Sequence, residues 1–390
     1  MTDLIYEIIA RFGPRPSGSA SERKAQEFMA GRFIAFCDEV RKHEFTVPVK
    51  AKFTNSKIFC VLHLLALILF PFDIRLALFF SGVNLMLVMA VFMGNRRWLD
   101  FLYKKSPSTN ITGIIEPLNE AKSTLILSAH IDSAYEFTWW YYLKGIGGKI
   151  TVATGILFII FPLFALSYWV LDIEIVKGSY AWETWLVFVI LYPLSITWFF
   201  MRGRRPVDGA IDNLSGVALI DELGRLFSDK GTLGRLRHTR LKIILFGSEE
   251  AGILGSKEYI AAFFRELKEE KASAVNIDTI KNQEELRIVT AEPFNSGLFD
   301  MKLIEETENA FRNCGIGYRK CKLWIGVTDA SSFTSGGIPA VSIISIPTGK
   351  NDPSYHTRLD TIEHLDPKGM QAVRDVMIRF ILDHDLSNWK

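Results

Sequence analysis

The chain has 390 residues, of which 49% are hydrophobic and 23% charged, so it can bury a large core. Its formal net charge of +2 gives no reason to expect a nucleic-acid partner. The four cysteines, Cys37, Cys60, Cys314 and Cys321, have neither CxxC spacing nor a nearby histidine pattern, which indicates neither a disulfide framework nor a cysteine–zinc site. The first residues lack the basic and apolar regions of a signal peptide.

The N-terminal segment predicts two helices, residues 3–12 and 19–36, separated by a turn over residues 13–18 that holds two prolines and two glycines. Ser19 or Ser21 is a suitable N-cap for the second helix. Residues 40–49 then predict a strand with Phe45, Val47 and Val49 on one face.

Two pairs of apolar segments interrupt this soluble pattern, at residues 58–72 with 76–93 and at 150–171 with 182–200. The second pair has the length of membrane-spanning helices, with aromatic residues at its ends. The first segment is shorter than the roughly 20 residues that cross a bilayer upright, so it either spans with local thinning or re-enters. A buried core hairpin or a dimer interface is the alternative for such segments.

These segments predict a soluble domain in three parts, residues 1–56, 95–138 and 202–390, with membrane helix pairs at 57–94 and 139–201. Because each insert is a pair, the domain stays on one side of the membrane. The positive charges flanking the inserts on the domain side are Lys52, Lys57, Arg96, Arg97, Lys104, Lys105, Lys144, Lys149, Arg202, Arg204 and Arg205. The far loops carry mixed charges, Asp73, Arg75, Asp172, Glu174, Lys177 and Glu183, so we expect the domain to face the cytoplasm.

Acidic and histidine side chains follow several predicted strands of the domain. The strand 123–129 leads to His130 and Asp132, the strand 241–246 leads to Glu249 and Glu250, and the strand 274–277 leads to Asp278. Asp212 and His356 complete the set from loops. Strand ends of an open α/β sheet are where sites form, and imidazole with carboxylate suits two zinc ions.

Helices are predicted at 212–227, 249–267, 299–312 and 367–382, and further strands at 109–116 and 286–289. Taken alone, Glu249 and Glu250 could simply be the first turn of a helix, favoured there by the helix dipole. Asp360 is expected only to cap or pair locally, and Asn213 to support a turn.

Five motifs in order resemble those of the co-catalytic dizinc aminopeptidases. They are His130-x-Asp132, Gly209-Ala210-x-Asp212-Asn213-x-Ser215-Gly216, Gly247-Ser248-Glu249-Glu250-x-Gly252-x-x-Gly255-Ser256, Asn276-x-Asp278 and Tyr355-His356-Thr357. That family includes bacterial leucyl aminopeptidases, aminopeptidase Y, glutamate carboxypeptidase and, more distantly, glutaminyl cyclase. The resemblance implies an α/β, three-layer zinc-exopeptidase fold around a mixed, mostly parallel sheet.

The resemblance also assigns roles to individual residues. Asp212 would bridge two Zn²⁺ ions, with His130 and Asp278 completing one ion's shell and Glu250 and His356 the other's. Glu249 would be the general base acting on a zinc-bound water, and Asp132 would orient His130. The expected function is a membrane-embedded zinc aminopeptidase acting on peptides, with the lipid bilayer as a further partner.

Two alternatives stand beside this function. One is a glutaminyl-cyclase-like acyltransferase, which would use a single zinc ion and no water nucleophile. The other is a non-catalytic membrane scaffold that retains the fold. Competent residues at every ligand position favour the enzymes.

Overall fold

The protein forms two compact units, each assembled from separated stretches of the sequence. The computed structural model describes residues 1–171, 179–347 and 352–387. The first unit comprises Met1–Val49, Lys105–Tyr135 and Arg205–Lys390, and the second comprises Lys50–Lys104 and Glu136–Arg204. Asp172, Glu174 and Lys177, which contributed to the predicted orientation, lie outside the described residues.

In the described residues, the first unit is built on a nine-stranded sheet. The strands are β1 Glu39–Val47, β2 Ser106–Ile115, β3 Ser123–His130, β4 Thr239–Phe246, β5 Ala272–Asp278, β6 Leu286–Glu292, β7 Gly297–Leu298, β8 Arg319–Lys322 and β9 Ala340–Ser345. Their order in the sheet is β1-β2-β4-β3-β5-β9-β6-β7, and β8 pairs with β6. Strands β4, β3, β5 and β9 are mutually parallel, whereas β1, β2 and β6 join antiparallel. The predicted α/β fold with a mixed sheet is confirmed, with the parallel strands at its centre.

Helices cover this sheet. They are Thr2–Phe12, Ala20–Ile34, Ser215–Leu226, Leu254–Glu269, Met301–Asn313, Ala330–Ser335 and Pro367–Ser387. Every residue of β5 is buried, and β3 is buried from Thr124 to His130, which requires cover on both faces. Strand residues such as Leu125, Ile243 and Val275 and helix residues such as Val217 and Phe380 share one hydrophobic core.

Local sequence signals explain where the N-terminal helices begin and end. Ser19 is the N-cap of Ala20–Ile34 and accepts a hydrogen bond from Glu22 N, which decides between the two predicted caps. Gly13 ends the first helix with φ 61°, a conformation that glycine adopts without strain. Both helices therefore lie close to their predicted bounds.

The second unit is helical and apolar. Its helices are Ala51–Leu69, Ile74–Leu87, Thr138–Leu143, Gly145–Leu171, Ser179–Leu191 and Ile196–Phe199, with a π-helical turn at Val88–Met93 and a 3-10 turn at Tyr192–Ser195. Within the described residues, four stretches are long and apolar enough to cross a membrane, namely Ala51–Leu69, Ile74–Met93, Ile146–Val170 and Ala181–Phe199. The first has 19 residues and begins at Ala51, so the prediction of a short helix starting at Ile58 is wrong. Residues 51–57, most of them polar, extend it because none of them is glycine or proline.

Candidate metal centre

The carboxyl ends of the central parallel strands bring the first predicted ligands together. His130 is the last residue of β3 and Asp278 is the last residue of β5, two strands that pair directly. Strand β4 lies on the other side of β3 and ends at Phe246, just before the segment that holds Glu249 and Glu250. Parallel strands end at one edge of a sheet, so their terminal side chains converge.

One group of ligands surrounds the imidazole of His130. Its Nε2 lies 3.1 Å from Asp212 Oδ1 and 3.5 Å from Asp278 Oδ1. One ligand atom from each of His130, Asp212 and Asp278 lies within 4.8 Å of the others. The three residues could therefore hold one metal ion.

A second group surrounds the imidazole of His356. Its Nε2 lies 3.3 Å from Asp212 Oδ2 and 3.2 Å from Glu250 Oε2. These three residues also satisfy the 4.8 Å limit, as does an overlapping set of His130, Glu249 and Glu250. Asp212 thus presents Oδ1 to one histidine and Oδ2 to the other, which is the arrangement that a bridging carboxylate requires.

The chemistry of this donor set fits divalent metal ions. All seven predicted site residues are buried, and five of them are carboxylic acids. Burial, together with Asp212 and Glu249, raises the pKa of Glu250 well above its usual value, because buried negative charges repel one another. Among the described residues, Glu250 Oε1 is a buried oxygen without a hydrogen-bond partner. Cations at the two groups would relieve both the charge repulsion and the unsatisfied oxygen.

Electrostatics around the histidines support the same conclusion. Burial lowers the pKa of His130, but the carboxylates of Glu249, Asp132, Asp212 and Asp278 outweigh burial and raise it well above its usual value. Burial raises the pKa of Asp212, and the two histidines more than reverse that effect. The carboxylates of the cluster therefore favour positive charge at this edge of the sheet.

Glu249 and Asp132 lie beside the two ligand groups. Glu249 Oε2 is 3.8 Å from His130 Nε2, close to the centre without being the nearest carboxylate. The carboxylate of Asp132 accepts hydrogen bonds from Glu249 N at 3.0 Å and Glu250 N at 3.1 Å. His130 Nδ1 is 3.1 Å from the main-chain oxygen of Asp132 and 3.5 Å from its Oδ1. Asp132 thus contacts the His130 ring most closely through its main-chain oxygen, and its carboxylate binds both glutamate amides.

The ligand segments precede helices and do not belong to them, which contradicts two predicted helix starts. The helix predicted from Glu249 begins at Leu254, because Ser248, Gly252 and Ile253 have φ values of 55°, 114° and 52°. The helix predicted from Asp212 begins at Ser215, since Asp212 has non-helical φ and ψ of −112° and 90°. Glu249 and Glu250 are therefore not simply the first turn of a helix.

Three supporting residues were missed or undervalued from the sequence. Asp360, expected to act locally, accepts hydrogen bonds from Ile211 N at 2.6 Å and Asp212 N at 3.4 Å, so that expectation is wrong. Asn213 donates to Ile277 O and accepts from Gly216 N, which ties the Asp212 segment to β5. Arg15 is fully buried and donates to main-chain oxygens on both sides of the site. Only contacts distant in sequence reveal these roles.

The mixed sheet and the two histidine–carboxylate groups at its edge define a zinc-exopeptidase fold, and comparisons with known proteins agree. A model of peptidase family M28 matches residues 195–381, which include every predicted site residue except His130 and Asp132. A probable leucine aminopeptidase of Trichophyton verrucosum is 27% identical over 186 residues, covering 46% of this chain and 50% of that protein. The family model covers slightly less than half of the chain, and both comparisons agree with the resemblance to the dizinc aminopeptidases that the motifs predicted.

Solved structures show the same fold at low identity. A zinc aminopeptidase from Bacillus subtilis superposes with a TM-score of 0.56 and 15% identity, covering 98% of this chain and 94% of that one. A glutaminyl cyclase from Tannerella forsythia gives 0.55 and 15%, covering 98% of both chains. The chain spans about half the length of the curated leucine aminopeptidases that it matches.

Proposed function

We propose that the protein is a membrane-embedded, zinc-dependent aminopeptidase that removes N-terminal residues from peptides. The observation that carries the proposal is the placement of Asp212 between two complete ligand groups, one oxygen towards each histidine. The match to the M28 family model and the aminopeptidase names of the relatives support the reaction class.

In this proposal His130, Asp212 and Asp278 hold one zinc ion, and Asp212, Glu250 and His356 hold the other. Zinc at these positions would polarise the scissile carbonyl and lower the pKa of water towards about 7. Glu249, whose Oε2 lies 3.8 Å from His130 Nε2, would accept the water proton and return it to the leaving amine. Asp132 holds the main chain of Glu249 by its amide, so the base is fixed at the edge of the site.

The decisive experiment is a screen of aminoacyl reporter substrates with the purified, zinc-loaded full chain and with the Glu249→Gln variant. We expect hydrolysis by the wild type and a loss of about 10²–10⁴-fold in kcat for Glu249→Gln, the usual contribution of a general base. Zinc content should stay the same, because Glu249 is not assigned as a ligand. Glu269→Gln, at an exposed position of helix Leu254–Glu269, is the matched control and should behave as wild type.

Glutaminyl-cyclase-like acyl transfer is a second candidate, because cyclases superpose as well as aminopeptidases do. The reaction product and the number of bound zinc ions distinguish the two candidate functions. Release of a free N-terminal residue by protein holding two zinc ions supports the peptidase. Formation of a pyroglutamyl peptide by protein holding one zinc ion supports the cyclase. Bound zinc without turnover of either substrate would point to a non-catalytic scaffold.

The membrane part of the proposal rests on the four long apolar helices. Large apolar side chains point outward along them, including Val61, Ile68, Phe79, Met86, Ile156, Leu163, Trp169 and Leu186. A hydrocarbon environment would accept such side chains, whereas water would not. Segments 57–94 and 139–201 would then be the membrane helix pairs, with the three remaining parts forming the catalytic domain.

The proposed orientation places the catalytic domain in the cytoplasm. Single cysteines at Arg75→Cys and Lys104→Cys, in a chain whose native cysteines are replaced by alanine, test it with a membrane-impermeant maleimide. Arg75→Cys should be labelled on intact cells, and Lys104→Cys only after the membrane is permeabilised. The reverse pattern would contradict the orientation, and labelling of both on intact cells would contradict membrane crossing by the first pair.

A further inference from the structure

Four consecutive main-chain amides at the site are bound by side chains from three separate segments of the chain. Gly247 N donates to Asn110 Oδ1 at 3.1 Å and Ser248 N donates to Glu22 Oε1 at 2.8 Å. Glu249 N and Glu250 N donate to the two oxygens of Asp132 at 3.0 and 3.1 Å. The segment that carries the proposed base and a proposed ligand therefore takes its position from Asn110, Glu22 and Asp132.

Glu22 has two connections in this arrangement. Its Oε2 accepts from Gly18 N at 2.6 Å, just before the N-cap Ser19, and the Ser19 side chain accepts from Glu22 N. Its Oε1 accepts from Ser248 N and from Ser108 Oγ at 3.0 Å. One carboxylate thus joins the beginning of helix Ala20–Ile34 to the residue before Glu249.

Close packing shows that this segment has little freedom to shift. A Cβ at Gly247 would lie 2.4 Å from Gln26 Nε2 and 2.4 Å from Ser108 Oγ. A Cβ at Gly255 would lie 2.1 Å from Gly247 O. Glu22, Asn110 and Ser248 are also fully buried, so water does not replace a lost partner easily.

We propose that Glu22 is a positioning residue for Glu249 and Glu250, acting through the main chain of Ser248. This inference rests on the proposed peptidase function only for its kinetic consequence. Removing the carboxylate leaves Ser248 N without its acceptor, and the segment relaxes towards another one. A displacement of about 1 Å of a catalytic group lowers a rate by up to 10²-fold. The effect should fall on kcat, because Glu22 does not contact the cluster that binds substrate.

The test compares the variants Glu22→Ala and Glu22→Gln with Ser19→Ala in the full chain. Ser19→Ala removes the N-cap bond to Glu22 N and so weakens the same helix start, but leaves the Glu22 carboxylate in place. We expect Glu22→Ala to lower kcat about 10- to 100-fold with KM within about twofold, and Ser19→Ala to leave both unchanged. Glu22→Gln keeps the volume but has one acceptor oxygen for two amides, so its kcat should be intermediate.

A second measurement is independent of activity. Amide hydrogen exchange of residues 247–250 in metal-free protein should be faster in both Glu22 variants than in wild type or Ser19→Ala. If wild type hydrolyses no substrate, the proposed function has failed, and exchange alone decides the role of Glu22. Unchanged exchange, or a kcat of Glu22→Ala equal to that of Ser19→Ala, would overturn the inference. If Glu22→Ala does not fold, the same comparison is made with Glu22→Gln.

Discussion

The substitution Arg15→Lys tests how the two sides of the metal centre are held together. Arg15 Nε donates to Ile131 O at 3.0 Å, between His130 and Asp132, and its Nη2 donates to Asp208 O at 2.8 Å, before Asp212. Its Nη1 donates to Gly13 O at 2.8 Å. A guanidinium presents five N–H donors in a planar fork, whereas an ammonium is a single point. A lysine at position 15 could donate to one of these three oxygens and would leave the other two without a donor.

The expected loss of stability follows from the two main-chain oxygens that lose their donor. An unsatisfied buried polar group costs about 1–3 kcal/mol, so two oxygens give about 3 kcal/mol in a site that relaxes in part. This is a large share of the roughly 5–15 kcal/mol that stabilises a domain. It corresponds to about a 100-fold increase in the equilibrium constant for opening of the unit, at about 1.4 kcal/mol for each factor of ten.

Native-state hydrogen exchange measures this opening in the first unit itself, through the buried amides of β3 and β4. Exchange of these amides in Arg15→Lys should be about 100-fold faster than in wild type, in the regime where exchange follows the opening equilibrium. Arg11→Lys, at an exposed arginine paired with Glu7, is the control and should change nothing. An Arg15→Lys rate within threefold of wild type would refute the reasoning.

The remaining predictions concern stability, pH and metal. Asp385→Ala should destabilise the first unit by about 3 kcal/mol and leave kcat unchanged. The reason is that the Asp385 carboxylate accepts from three successive amides at the start of β4, Arg237 N, His238 N and Thr239 N. A lowered kcat at full zinc content would contradict this prediction. Burial raises the pKa of Glu292 to about 8, so the native state holds its proton more tightly than the unfolded state. Stability should therefore fall as pH rises from about 4.5 to about 8. Glu292→Gln should make the urea unfolding midpoint less dependent on pH than it is in wild type. An equal pH dependence of the midpoint in both proteins would exclude Glu292 as the cause. Removing metal with a chelator should abolish hydrolysis, and His356→Ala should reduce bound zinc from two ions to one, as measured by elemental analysis; two ions in that variant would contradict the ligand assignment.

The strand-end chemistry of the site could be predicted from the sequence, because it depends on local patterns. Apolar β-branched runs identify β3, β4 and β5, and the residues that follow each run are the ones that meet in the structure. The pairing of Asp212 with both histidines was available only as a resemblance. The structure supplies the distances that support it.

The supports of the site could not be predicted, because their partners are far apart in the chain. Glu22 binds an amide 226 positions away, and Asp360 binds one 149 positions away. Neither residue has a local pattern that distinguishes these bonds from an ordinary cap. The wrong helix starts have a related cause: helix propensity is high after Glu249 and Asp212, but side-chain acceptors bind the amides there and stabilise positive or non-helical φ.

The division of the first unit into three stretches of chain has a consequence for synthesis in the cell. Strand β3 leaves the ribosome in the second stretch, while both of its neighbours, β4 and β5, belong to the third. The strand that ends in His130 therefore stays with both edges unpaired until one apolar helix pair and a further part of the chain have been made. Exposed strand edges favour aggregation. Nascent chains stopped before β4 should thus need chaperones far more than finished protein does.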